Sequence, residues 1–275
     1  MSTAPRPGAA PFTERTPRVA AARALSRRVG RQRAGRFLVE GTQAVREALT
    51  WPGEVHELFV TEAFAGRDTE LHALADGRGV TVSMVSDRAM AGLADTVTPQ
   101  GVVAVCSFVD VPLATALAGT PALVAVLVEV ADPGNAGTVI RVADAAGADA
   151  VVLAGDAVDP HNGKCVRAST GSIFHLPIAR APVDETLAAC RAAGLRLVAT
   201  DGYATTELTP ATAPAPAAWL FGSEAHGLPD VVKSAADESL RVPLYGKAES
   251  LNLATAATVC LYASAWRAHG SPDQV

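Results

Sequence analysis

The stretch LVAVLVEVADPGNAGTVIR, residues 123–141, runs from a nearly unbroken apolar segment through a polar, glycine-bearing turn into a helical pattern. Apolar residues at almost every position of Leu123–Val130 suit a strand buried on both faces, the kind found in parallel sheets. The helix that follows is expected over Thr138–Ala146. Between them, Asp132-Pro133-Gly134-Asn135-Ala136-Gly137 lies where a phosphate loop would lie. It has neither the G-x-x-x-x-G-K-S/T pattern nor the three-glycine spacing of a dinucleotide fold. Kinase and ordinary dehydrogenase chemistry are therefore unsupported.

Downstream, strands are expected at Ala150–Leu153, Phe174–Ile178, Leu195–Ala199, Trp219–Gly222 and Leu240–Leu244. Helical stretches lie between them, around His161–Thr170, at Asp184–Ala193 and at Pro229–Ala236, and a last one runs from Leu251 to about Ala268. This alternation predicts an α/β fold with a mostly parallel sheet covered on both faces. Ligands of such sheets lie beyond the carboxyl ends of the strands, here after Val130, Ala199, Gly222 and Leu244. Upstream, a helix over Val19–Val29, strands at Phe37–Glu40, Val55–Val60, Val80–Val85 and Val102–Phe108, and helices over Gly41–Leu49 and Thr69–Asp76 predict a smaller α/β domain. The resulting division is an arm over 1–17, a front domain over 18–108, a linker over 109–120 and a second domain over 121–270.

The chain has 275 residues, 49% of them hydrophobic and 19% charged, with net charge −5. That length suffices for two domains with their own cores, and the composition excludes wholesale disorder. Its uncharged stretches still carry polar residues and make poor membrane spans. Four scattered cysteines, Cys106, Cys165, Cys190 and Cys260, form no C-x-x-C pair, and no apolar signal segment opens the chain. A reduced, cytoplasmic setting is expected. His161, His175 and His226 lie on separate elements with no completing ligand set, so no metal site is expected.

Charge is unevenly placed. Residues 1–36 hold nine arginines against the single acid Glu14, and the acidic surplus lies in the remainder. Arginine forks match phosphate oxygens, so Arg23, Arg27, Arg28, Arg31, Arg33 and Arg36 are candidate RNA contacts. A solvated terminus of an Arg- and Ala-rich chain is the alternative. Residues 1–17, with Pro5, Pro7, Pro11 and Pro17, are expected to be disordered.

Three polar segments follow strands: Asn135-Ala136-Gly137-Thr138-Val139-Ile140-Arg141, Leu220-Phe221-Gly222-Ser223-Glu224-Ala225-His226-Gly227-Leu228, and Val242-Pro243-Leu244 with Ser250-Leu251-Asn252. In this order they resemble the three motifs of the SpoU (TrmH-like) branch of the SPOUT superfamily, RNA ribose 2'-O-methyltransferases that use S-adenosylmethionine. The likeness spans roughly residues 121–268. A weaker one covers Phe37-Leu38-Val39-Glu40-Gly41 and Gln100-Gly101-Val102-Val103-Ala104, similar to an L30e-like substrate-binding domain.

The resemblance implies a trefoil-knotted catalytic domain, a homodimer with the last helix at its interface, and no metal requirement. It implies 23S ribosomal RNA as the preferred substrate, with transfer RNA next. Arg141, Asn135, Glu224, Asn252 and Ser250 take the catalytic positions. Thr200, Asp201, Gly202, Phe221, Gly222, Gly227, Val242, Leu244 and Leu251 take the cofactor positions, and Lys164 and Arg167 lie near the substrate cleft. Ordinary roles stand beside these: an ion pair of Arg141 with Asp144, helix capping by Glu224, Ser250 or Asn252, and core or turn positions for the rest. A catalytically silent RNA-binding protein is the alternative from another class, and a generic nucleotide-binding enzyme a further one.

Overall fold

The computed structural model of the protein describes residues 10–209 and 211–269. Two compact units are present: one takes in the described residues up to Val109 together with Asp159–Phe174, the other Asp110–Val158 and the described chain from His175 onward. The first opens with α1 (Pro17–Ala24), α2 (Arg28–Ala34), β1 (Arg36–Glu40) and α3 (Thr42–Thr50). It continues with β2 (Val55–Val60), α4 (Glu62–Ala65), α5 (Thr69–Gly77), β3 (Thr81–Met84), α6 (Asp87–Leu93) and β4 (Val102–Ser107). Its four strands lie in the order β1-β4-β2-β3, with β4 antiparallel to both neighbours and β3 parallel to β2. Side-chain caps start α4, α5 and α6: Thr61 accepts from the Phe64 amide at 3.3 Å, Asp68 from the Leu71 amide at 2.9 Å and Ser86 from the Ala89 amide at 3.2 Å.

Two features of the front of the chain differ from expectation. The single helix read over Val19–Val29 is split into α1 and α2, because the chain turns at Leu25–Arg27 and packs back on itself. Gly30 permits this corner, since a Cβ there would stand 2.0 Å from the Ala24 carbonyl oxygen. The arm is also not wholly disordered. Residues 1–9 lie outside the described residues, but the Phe12 amide donates to Met84 O at 2.8 Å and the Ser86 amide to Phe12 O at 2.9 Å. An apolar side chain among prolines anchors the segment beside β3.

The second unit begins with α7 (Leu113–Ala116), β5 (Leu123–Val128), α8 (Pro133–Ala145) and β6 (Ala150–Ala154). The chain then supplies α9 (Gly163–Ser169) and a 3-10 turn over Ser172–Phe174 to the first unit. It returns through β7 (Ile178–Ala181), α10 (Val183–Ala192), β8 (Arg196–Thr200), β9 (Thr206–Glu207), β10 (Ala217–Phe221), α11 (Asp230–Ala235), β11 (Glu238–Arg241) and α12 (Leu253–His269). The strand order is β7-β6-β5-β10-β8-β11-β9, every pair parallel. All residues of β5, β6 and β10 are buried, as a parallel sheet covered on both faces requires. On one face α12 lies along α8, and the Trp219 indole N–H donates to Ser264 Oγ at 2.9 Å, which in turn donates to Pro214 O at 2.7 Å.

Three further expectations need correction. The segment read as a linker folds partly into α7, and Leu113, Ala116 and Leu117 join the core because their i, i+3, i+4 spacing forms one apolar face. The strand expected over Phe174–Ile178 begins only at Ile178, because Phe174 closes the 3-10 turn and packs its ring near Phe37 and Trp51. The strand expected over Leu240–Leu244 ends at Arg241, two residues before Pro243, which has no N–H for a ladder. No helix among the described residues is long and apolar enough to cross a membrane.

Candidate active site

Two features of the second unit meet beyond the carboxyl ends of its strands. The first is a hydrogen-bonded network that starts at α8. Asp132 caps this helix, accepting from the Asn135 amide at 2.8 Å, with Pro133 in the first turn where a missing N–H costs nothing. Capping turns Asn135 toward the loop after β10, where its Nδ2 donates to Glu224 Oε1 at 2.8 Å. Glu224 also accepts from the Ala131 and Asp132 amides, both at 3.3 Å. The Asn135 Oδ1 accepts from Asn252 Nδ2 at 3.0 Å, while Asn252 Oδ1 accepts from the Ala254 amide at 2.9 Å and so caps α12. Accepting backbone amides at Oδ1 leaves only Nδ2 to face Asn135, so the orientation of both amides follows from the network.

Asn252 thus caps α12 and also joins the polar cluster. Glu224 caps as well, but at the amides before α8 rather than at the helix that follows it. Partial burial opposes ionisation of Glu224. The Asn135 amide and the backbone amides outweigh it and hold the carboxyl below the ordinary range. Glu224 is therefore ionised at neutral pH, and its carboxylate ties the loop after β10 to the start of α8.

Gly222 sets the position of that loop. A Cβ there would lie 2.1 Å from the Gly227 carbonyl carbon and 2.2 Å from the Leu228 amide nitrogen. The loop closes on itself through Ser223 N to Gly227 O at 3.1 Å and Gly227 N to Ser223 O at 2.8 Å, with Gly227 at a positive φ of 66°. Arg141 lies on α8 six residues beyond Asn135, about 9 Å along the axis, and is exposed. Its neighbour Asp144 pairs with His175, Oδ2 to Nδ1 at 2.7 Å.

The second feature is a cavity of about 370 Å³ at the ends of β8 and β11. Thr200, Asp201, Gly202, Val242, Leu244, Ser250 and Leu251 line it, joined by Glu207, Leu240, Arg241, Glu249 and Ala256. Asn252 follows Ser250 and Leu251 directly, so the cavity wall and the polar network are continuous along the chain. The sequence reading missed the last five residues. For Glu207 and Arg241 the only available signal was their opposite charge, realised as a 2.7 Å ion pair. Three of the cofactor candidates lie outside the lining. Gly222 and Gly227 belong to the loop just described, and Phe221 is buried in the core, its ring stacked on Trp219.

The lining fits a methyl donor with an adenosine and an amino-acid part. Val242, Leu244 and Leu251 offer apolar surface to a flat base, and Asp201 and Glu249 bring negative charge to a cationic ligand, while Glu207 is paired with Arg241. No atom lies within 4 Å of where a Cβ of Gly202 would stand. Packing within the protein does not demand glycine there, whereas close approach of a ligand to the backbone would.

In the first unit, Arg23, Arg27, Arg28, Arg33 and Arg36 are exposed, and so is Lys164. Arg31 is a correction. It is only 2% exposed and is bound at both ends. Its Nε and Nη2 donate to Asp159 Oδ2 at 3.0 and 2.7 Å, and its Nη1 to the carbonyls of Leu25 and Ser26. Asp159 is in turn held by His161, whose Nε2 accepts from the Val109 amide at 3.2 Å and whose ring stacks on Phe108. A guanidinium committed to a buried carboxylate is not available to phosphate. Arg167 is also engaged, at 2.9 Å from Asp95 and 3.4 Å from Glu40. Among the described residues, no group of three or more His, Cys, Asp or Glu side chains is placed to hold a metal ion.

A parallel α/β unit with an asparagine–carboxylate network and a cavity continuous with it along the chain, preceded by a smaller α/β unit with several exposed arginines, defines a two-part enzyme class. Residues 122–262 match the model of the SpoU rRNA Methylase family, and residues 16–104 that of the MRM3-like substrate binding domain. The chain is 35% identical over 235 residues to the 23S rRNA (guanosine(2553)-2'-O)-methyltransferase RlmP of Bacillus subtilis, covering 84% of this chain and 89% of that one. Among solved structures it is similar to an AdoMet-bound rRNA methyltransferase from Sinorhizobium meliloti, with TM-score 0.80, 32% identity, and coverage of 93% and 95% of the two chains. The SpoU methyltransferase AviRb from Streptomyces viridochromogenes in complex with AdoMet gives TM-score 0.80 and 30% identity, covering 93% of this chain and all of that one. The chain belongs to the SpoU rRNA methylase family.

Proposed function

We propose that the protein transfers a methyl group from S-adenosylmethionine to a ribose 2'-hydroxyl of 23S ribosomal RNA. The observation that carries this reading is the continuity of the Asn135–Glu224–Asn252 network with the cavity wall at Ser250 and Leu251. The relatives named for 23S rRNA 2'-O-methylation and the two AdoMet-bound structures support substrate and cofactor. S-adenosylmethionine, when bound, supplies an electrophilic methyl group on a sulfonium.

The chain supplies position and charge. Thr200, Asp201, Gly202, Val242, Leu244 and Leu251 form the donor wall, and the loop carrying Gly222 and Gly227 holds Glu224 in place. Glu224 and Asn252 fix the side-chain amide of Asn135, and Asn252 joins it along the chain to the cavity wall. Arg141, permanently cationic, orients the ribose oxygen and stabilises the charge that develops as its proton leaves to solvent. Ser250 adds a hydroxyl at the same wall. A 2'-hydroxyl acceptor also selects RNA over DNA. Arg23, Arg27, Arg28, Arg33, Arg36 and Lys164 present charge to phosphates, supported by their exposure.

The reading includes a homodimer, a cytoplasmic setting, no metal requirement, and a trefoil knot in the second unit. The placement of β10 between β5 and β8 with α12 along α8 supports the knot. Labelled S-adenosylmethionine offered with separated 23S rRNA, 16S rRNA and transfer RNA tests the substrate. Label confined to 23S rRNA is expected; label confined to transfer RNA would move the assignment to that substrate.

A further inference from the structure

Two of the three tyrosines in the chain are almost wholly exposed: Tyr203 at 96% and Tyr245 at 94%. Both stand on loops that form the cavity. Tyr203 directly follows Gly202 of its wall, and Tyr245 directly follows Leu244. The two loops leave the sheet side by side. β8 and β11 are adjacent and parallel, with Leu240 opposite Thr200, so Tyr203 lies three residues and Tyr245 five residues past that register point. The Asp201 amide donates to Leu240 O at 3.1 Å and the Tyr203 amide to Asp201 Oδ1 at 3.0 Å, which fixes the first loop against the second strand. Lys233, 3.8 Å from Asp201, braces it from α11.

A large aromatic ring left in water forfeits the burial that ordinarily holds it, and here two rings do so on loops that line one cavity. The third tyrosine, Tyr262, is only partly exposed and packs against Trp266. Proteins that read unpaired RNA stack its splayed bases on exposed aromatic faces, a contact that tolerates any base. Exposed Lys247 follows Tyr245 by two residues and adds a cation for backbone phosphate.

We infer that Tyr203 and Tyr245 form a stacking platform for unpaired bases flanking the target ribose. The substrate would then be a single-stranded loop rather than a continuous duplex. This rests on the proposed methyl transfer to RNA, since it names the conformation of the RNA that the same site takes.

The test uses the full chain with Tyr203→Ala, Tyr245→Ala and the corresponding Phe variants. The probes are a fluorescein-labelled RNA hairpin with an unpaired loop and a blunt RNA duplex of equal length. Each Ala variant is expected to weaken hairpin binding about tenfold, in line with the loss of one stacked base. The Phe variants keep the aromatic face and should bind within about twofold of wild type. Duplex binding, S-adenosylmethionine affinity and sedimentation coefficient should not change.

Equal hairpin affinity in the Ala variants would overturn the platform. A changed sedimentation coefficient would assign the rings instead to a second copy of the chain, and an equal loss of S-adenosylmethionine affinity would assign them to the donor pocket. Failure of the wild-type protein to bind either RNA would remove the functional reading itself. Wild-type binding with indifferent Ala variants removes only the platform.

Discussion

Gly222→Ala strikes the loop that organises the site. The added methyl group would stand 2.1–2.4 Å from the backbone of Gly227 and Leu228, atoms that cannot swing aside as a side chain would. The loop must open, and the paired bonds between Ser223 and Gly227 at 3.1 and 2.8 Å are the ones crossing it. Two backbone hydrogen bonds are worth about 1–3 kcal/mol together. Opening also carries Glu224 away from Ala131, Asp132 and Asn135. A misplacement of about 1 Å at a reacting centre can cost roughly 100-fold in rate. Urea unfolding and single-turnover methyl transfer measure the two effects.

The matched control is Gly202→Ala, where no atom lies within 4 Å of the new Cβ. It should leave stability within about 0.5 kcal/mol while weakening S-adenosylmethionine binding, read by calorimetry. A Gly222→Ala enzyme with wild-type stability and turnover would refute the role assigned to the loop. So would a Gly202→Ala enzyme that loses stability but not affinity.

Arg31→Ala should cost about 3–5 kcal/mol in urea unfolding, because Asp159 would remain buried without its partner; a change confined to RNA affinity would contradict its structural assignment. Asp159 also sets an acid limit. Burial opposes its ionisation, but hydrogen bonds from His161 and Arg31 prevail and hold its carboxyl well below the ordinary range. Its contribution is therefore complete above the unfolded value, about 3.9, and is lost as pH falls below that toward the folded value. Unfolding midpoints from pH 7 to pH 2.5 should show this decline, and Asp159→Asn should be less stable at pH 7 with a flatter profile. Trp219→Phe removes the donor to Ser264 and should cost about 1 kcal/mol with the fold intact, read by thermal unfolding with near-ultraviolet dichroism.

Much of this is legible in residue chemistry and spacing. The apolar run at Leu123–Val128 announces a strand buried on both faces, and parallel pairing with β6 and β10 is its physical consequence. Asn135, Glu224 and Asn252 are polar residues placed after strands, where ligands of parallel sheets lie, and they do meet. Their pairing was not legible, because the carboxylate of Glu224 reaches back across 92 residues to the amides before α8.

Composition also cannot separate a solvated arginine from a buried one. Arg31 looks like its neighbours in the sequence, and only the fold brings Asp159, 128 residues away, against it. The helix α7 escaped because four residues among alanine, threonine and proline give too short a window for periodicity.

The most direct measurement compares wild type with Arg141→Ala on 23S rRNA and labelled S-adenosylmethionine, with the product mapped by reverse transcription sensitive to 2'-O-methylation. One modified ribose with the wild-type enzyme is expected, falling at least 100-fold with Arg141→Ala while S-adenosylmethionine affinity is retained. Equal modification by both proteins, or label on a base rather than a ribose, would contradict the assignment.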